Sequence, residues 1–178
     1  MGNTDVLAAM AREAGFDEIV NVPSTEIVIS EVVLGQCARN TCGNYGKNYS
    51  CPPLSGTLEE CINRMTEYEY ALVIDFRTSM KSRFEIQEGG AQFREAVEKL
   101  RIAVQDSGIE GKVFAAGTCR ICEVCGAITG EECRYPDLRR YSLEGSGVDV
   151  VRTSMNLKMK YNAGPGTMTY FAMVGYNG

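Results

Sequence analysis

The sequence contains no histidine and no tryptophan. Without an imidazole there can be no His-based acid–base pair, no Ser-His-Asp triad, no Cys₂His₂ zinc site and no axial-His haem. Positive charge is also scarce. Lys and Arg number 18 against 23 Asp and Glu, and the resulting net charge of −5 argues against a nucleic-acid surface, which needs a basic excess on one face. No apolar run approaches the length of a membrane span. The opening Met1-Gly2-Asn3-Thr4-Asp5-Val6 has neither the basic nor the apolar segment of a signal peptide, and Val6 stands where a myristoylation signal needs Ser or Thr. The expectation is a cytoplasmic protein with neither a membrane nor a nucleic-acid partner. No internal repeat or low-complexity linker divides residues 1–178, so one domain is expected.

The hydrophobic pattern predicts an α/β fold with a small mixed sheet. Residues 4–14 read as a helix, capped by Asn3 or Thr4 and stopped at Gly15. The β-branched run 26–33 reads as a strand, and 35–56 as a Gly-, Asn- and Pro-rich loop that needs something to hold its shape. Thr57-Leu58-Glu59-Glu60 is a capping box that opens an amphipathic helix carrying Leu58, Cys61, Ile62 and Met65 on one face. A strand over 69–76, a helix over about 91–106 and a strand over 112–116 make a βαβ unit, whose two strands should be parallel. Val148, Val151, Met155 and Met159 have helical spacing, and residues 167–174 suggest a closing strand, with a hairpin from 155–161 as an option.

What the chain has in abundance is cysteine, eight residues in all. In a reducing compartment these point to metal ligation or redox chemistry rather than disulfides. The sharpest pattern is Cys119-x₂-Cys122-x₂-Cys125-x₇-Cys133, directly after the second strand of the βαβ unit, where open α/β sheets place ligands. Two-residue gaps let successive thiolates wrap one [4Fe–4S] cluster, and the fourth cysteine closes it. Zinc is the alternative, because Cys₄ sites also use C-x₂-C spacing. A second set, Cys37-x₄-Cys42-x₈-Cys51, lies in the first loop, where Gly43, Gly46 and Asn48 permit a chain folded tightly around an inorganic core. These three are candidate ligands of a second [4Fe–4S] cluster with one open iron.

Cys61 decides whether that second site is closed. Its place on an apolar helix face predicts a buried thiol and leaves three protein ligands. Arg120, Arg134, Arg139 and Arg140 gather near the four-cysteine set in sequence. They could stabilise a reduced cluster, dock an acidic redox partner or simply face solvent. Tyr45 and Tyr49 could offer a phenol to an open site or pack. Gly145-Ser146-Gly147 and Gly164-Pro165-Gly166 complete no dinucleotide fingerprint.

Taken in order, three groups of residues make a pattern. The first is Cys37, Cys42, Tyr45-Gly46 and Cys51-Pro52-Pro53. The second is Gly117-Thr118-Cys119-x₂-Cys122-x₂-Cys125 with Cys133 and Pro136. The third is Arg139, Ser142, Glu144 and Gly147-Val148-Asp149-Val150. Together they resemble a cysteine-rich family of predicted metal-binding proteins from anaerobic bacteria and methanogenic archaea. The likeness spans most of the chain and implies metal binding in an anaerobe, through iron–sulfur clusters, but no particular reaction. Cys61 matches no position of that pattern. The expected function is electron transfer, or a reductase component that exchanges single electrons with a partner protein or a small-molecule substrate. Two alternatives stay open. One is a non-redox enzyme that uses an open iron for dehydration or desulfuration; the other is a zinc-stapled adaptor without catalysis.

Overall fold

Ten-residue apolar segments near the middle and the end of the chain pair with each other and set the frame. The computed structural model describes residues 2–178, so Met1 of the N-terminal motif lies outside the described residues. In chain order the elements are α1 (Asn3–Ala14), β1 (Ile19–Pro23), α2 (Glu31–Ala38), α3 (Leu58–Thr66), β2 (Tyr70–Ser79), α4 (Arg83–Ser107), β3 (Gly111–Ala115), α5 (Gly126–Thr129), β4 (Tyr141–Ser142), α6 (Val150–Asn156) and β5 (Thr167–Tyr176). The fold is α/β, with a five-stranded mixed sheet in the order β1-β2-β5-β3-β4. β5 runs antiparallel to both β2 and β3, and the short edge strand β4 is parallel to β3.

The βαβ unit is present, β2-α4-β3, and its two strands run in the same direction. They are not neighbours, because β5 lies between them and pairs with each. The strand expected over 26–33 does not form. Ser30 instead caps α2, its hydroxyl accepting from the Val32 N–H at 3.2 Å, and only Ile29 keeps a bridge, to Val148. Here the cap and the docking of Ile27 into the core override the β preference of Val32 and Val33. The strand that does exist, β1, is short and ends in Pro23, which suits its position at the sheet edge.

α4 begins two turns earlier than its apolar spacing suggests, because Gly89 and Gly90 mask the pattern while Ser82 caps the true start at the Glu85 N–H. α1 is capped at Gly2, and Asn3 and Thr4 fall inside its first turn. α6 stops at Asn156, since Lys158 takes a positive φ of 58° and turns Met159 into the core, and no hairpin forms with β5. No helix among the described residues is long and apolar enough to cross a membrane.

Alternation along the strands feeds two cores. On one face Leu72, Ile74, Val113, Ala115, Ala172 and Val174 meet Leu7 of α1 and Phe93, Val97 and Leu100 of α4. On the other face Ala71, Val73, Phe114, Phe171 and Met173 meet Met65 of α3 together with Ile27, Leu143 and Val148. The first face is covered by long helices. The second is covered by the shorter helices α3 and α6 and by turns, and there the loops that follow α2, β3 and β4 converge.

The paired glycines of α4 give a test of this packing. A methyl group at Gly89 would fall inside the contact distance of the Thr78 side chain, whereas one at Gly90 would meet nothing closer than 3.4 Å. Gly89→Ala is therefore expected to destabilise by about 1–3 kcal/mol through overpacking. Gly90→Ala should be neutral or stabilise by up to about 1 kcal/mol through helix propensity. Denaturant unfolding of the two variants measures both.

Candidate metal centre

The first cysteine loop leaves the last turn of α2, which carries Cys37. Asn40 adopts a positive φ of 53° and its side-chain oxygen accepts from the Tyr45 N–H at 3.0 Å, so the chain reverses before Cys42. Cys37 is half-buried, Cys42 exposed and Cys51 buried. All three thiols line one cleft of about 450 Å³, together with Tyr45 and Glu144. Burial, the Glu144 carboxylate and the neighbouring Cys51 and Cys42 push the Cys37 thiol up to about 11. Burial also raises Cys51, against the Ser50 hydroxyl, with Cys42, Glu144 and Cys125 adding to the rise. Crowded thiols and a carboxylate are a cation-seeking arrangement, since a bound metal supplies the charge that lets them ionise.

The second loop starts where β3 ends. Gly117 takes a positive φ of 83°, and Cys119, Cys122, Cys125 and Cys133, all half-buried, line a narrow cavity of about 20 Å³. The seven residues between Cys125 and Cys133 fold back on themselves, because the Glu131 N–H donates to the Gly126 carbonyl at 2.9 Å. A Cβ at Gly126 would stand 2.6 Å from the Glu132 carbonyl oxygen, so only glycine allows this closure. The long gap thus returns Cys133 to the same cavity as the other three. Among the described residues, no three Cys, Asp or Glu side chains close to the spacing that grips a single metal ion. Each set lines a cavity, and its all-sulfur donors suit a soft metal or an iron–sulfur core.

The two loops are joined by a buried polar clamp. The Cys119 N–H donates to the Ser50 hydroxyl at 2.9 Å, and that hydroxyl donates to Asn48 Oδ1 at 2.8 Å. Asn48 Nδ2 in turn donates to the Cys119 carbonyl at 2.9 Å. On its other side Ser50 abuts Gly145, where any side chain would strike the Ser50 carbonyl. Next to it Glu144 Oε2 accepts from Ser142 Oγ at 3.0 Å and from the Gly117 N–H at 3.3 Å. The sequence marks Asn48 only as a turn-permissive residue and Glu144 only as part of the family pattern, and it does not mark Ser50 at all; Asn48 takes no positive φ and serves the clamp through its side chain instead.

Cys61 lies apart from both sets. It is fully buried on α3, its thiol facing the Gly145 carbonyl at 3.9 Å and Arg64 at 3.9 Å, and burial raises it above the ordinary thiol range. The arginines divide. Arg139 lines the four-cysteine cavity and stacks on Tyr141 at 4.8 Å. Arg134 is exposed and ion-paired with Glu131. Arg120 lines the three-cysteine cleft, while Arg140 is buried behind the loop, against the Thr118 carbonyl. Tyr49 lines the four-cysteine cavity, donating to the Glu131 carbonyl at 2.7 Å, and Tyr45 lines the other.

Comparison with protein families matches residues 20–174 to the predicted metal-binding protein family (DUF2284), and the chain belongs to that family. The matched region includes both cysteine sets and the clamp. No curated protein and no solved structure matches the chain.

Removal of the clamp has a definite expected cost. Ser50→Ala leaves the Cys119 N–H without its partner, while Asn48 Oδ1 keeps the Ser50 N–H, and the loss should destabilise the protein by about 1–3 kcal/mol. The shift in the denaturant midpoint, with an unchanged slope, is the measurement.

Proposed function

We propose that this member of the predicted metal-binding family is an iron–sulfur protein that moves single electrons between a partner protein and a small-molecule substrate. In this reading Cys119, Cys122, Cys125 and Cys133 hold one [4Fe–4S] cluster, and Cys37, Cys42 and Cys51 hold a second. The observation that carries it is the separation of seven cysteines into a narrow four-thiol cavity and a wider three-thiol cleft, with Cys61 in neither. Three thiols at C-x₂-C-x₂-C spacing, with a fourth returned to the same cavity across a seven-residue gap, suit a closed relay centre.

The openness of the three-cysteine cleft favours a second reading, catalysis at that site. When bound there, a three-thiolate cluster would supply an iron able to accept a ligand as well as an electron. The residues around it have separable tasks. Glu144 is fixed by Ser142 and Gly117 with its carboxylate on the cleft wall, so in a chain without histidine it is the group placed to hold or release a proton there. Tyr45 stands on the same wall as a neutral hydrogen-bonding group. Asn48 and Ser50 keep the spacing between the two thiol sets constant. Arg139, beside the four-cysteine cavity, offers positive charge to an anionic centre.

Anaerobic purification followed by iron, acid-labile sulfide and zinc analysis tests the reading. It predicts about eight irons and eight sulfides per chain. Cys122→Ser should remove about half of each, and Cys61→Ala should remove none. About one or two zinc ions and no sulfide would overturn it and leave a structural metal protein.

A further inference from the structure

A different cleft, of about 410 Å³, opens between α4 and the end of β3, and every charged residue on its wall is an arginine. Arg94 comes from α4, Arg120 from the second cysteine loop and Arg140 from the residue before β4. No Asp or Glu lines it, and among the described residues none of the three guanidiniums is ion-paired. Three like charges around one cavity repel one another unless an anion joins them. Arg140 makes the point most strongly. It is only 7% exposed, its Nη2 donates to the Thr118 carbonyl, and its Nε is buried with no partner. Glu98, the carboxylate whose charge reaches Arg140, is already engaged through both oxygens by Arg101, at 2.9 and 2.6 Å.

The remaining wall has the character of a small-molecule site. Gln87 and Tyr170 add neutral hydrogen-bonding groups, and Ile86 and Phe93 supply an apolar side. Guanidinium forks match the paired oxygens of carboxylates and phosphates. We propose that this cleft binds the oxyanion group, phosphate or carboxylate, of a small organic molecule through Arg94, Arg120 and Arg140. Gly117, Thr118 and Arg120 also line the three-cysteine cleft, so a molecule anchored here extends toward it. That last clause, which makes the occupant a substrate, rests on the cluster reading. The anion site itself does not.

Isothermal titration of the anaerobically purified full chain with inorganic phosphate, pyrophosphate and succinate, at ionic strength held constant with chloride, tests the proposal. Saturable one-to-one binding of at least one probe is expected. Preference for the phosphates assigns a phosphoryl group, and preference for succinate assigns a carboxylate. Arg94→Gln and Arg120→Gln should each weaken binding at least about tenfold. Neither side chain donates a hydrogen bond within the described protein, so both variants are expected to fold, whereas Arg140 also ties down Thr118. Arg12→Gln, exposed on α1, is the control and should bind like the parent. Absence of saturable binding with all three probes, or parental affinity in both cleft variants, overturns the proposal. Iron and sulfide measured on the same samples separate the two ideas. Binding without iron retires the substrate clause alone, and iron without binding retires the anion site alone.

Discussion

The arrangement of the metal-binding region depends on the hydrogen-bonded clamp between Asn48, Ser50 and the backbone of Cys119. It is buried and every group in it is paired, so it fixes two irregular loops that have few regular-structure hydrogen bonds of their own. A loop without secondary structure loses conformational entropy when ordered, and these loops offer little apolar area in return. The clamp supplies part of the compensation. A bound metal would supply the rest, which is why the thiols and the clamp occupy the same stretch of chain.

The sheet determines where that stretch can lie. β2, β3 and β4 run in one direction, and the second cysteine loop and Glu144 emerge from the ends of β3 and β4. α1 and α4 close one face of the sheet completely, so the loops must gather over the other face and its rim. Two glycines allow the final approach. Gly145 lets the Ser50 carbonyl reach the turn after β4, and Gly126 lets residues 131 and 132 fold back over the four-cysteine cavity. With a side chain at either position the cysteines would remain in the sequence but no longer share their cavities.

Elements with one dominant periodic signal were legible in the sequence. The capping box at Thr57, the glycine stop at Gly15 and the apolar strand expected over 69–76, which runs Tyr70–Ser79, all appear in the structure, as does the direction of the βαβ unit. The run 26–33 was misread because β-branched residues there serve tertiary packing and a capped helix, which local propensity does not report. β5 between β2 and β3 was invisible because strand order is a long-range property. For the site, spacing divides seven cysteines into the two sets that line separate cavities, and the apolar helix face carrying Cys61 foretells its burial. Asn48, Glu144, Arg120 and Arg140 stand out in the sequence singly, but the clamp and the arginine cleft join residues tens of positions apart, which local spacing does not report.

In the proposed function two cysteine sets, held side by side, each carry an iron–sulfur cluster. Electron paramagnetic resonance of the anaerobically purified, dithionite-reduced protein decides whether both sets are loaded. Ser50, next to Cys51, accepts from the Cys119 N–H at 2.9 Å, so the two cysteine sets adjoin and two reduced centres should sense each other. The prediction is about two unpaired spins per chain with a spectrum broadened by their coupling. A narrow signal of about one spin, or no signal from a zinc-loaded protein, would contradict it.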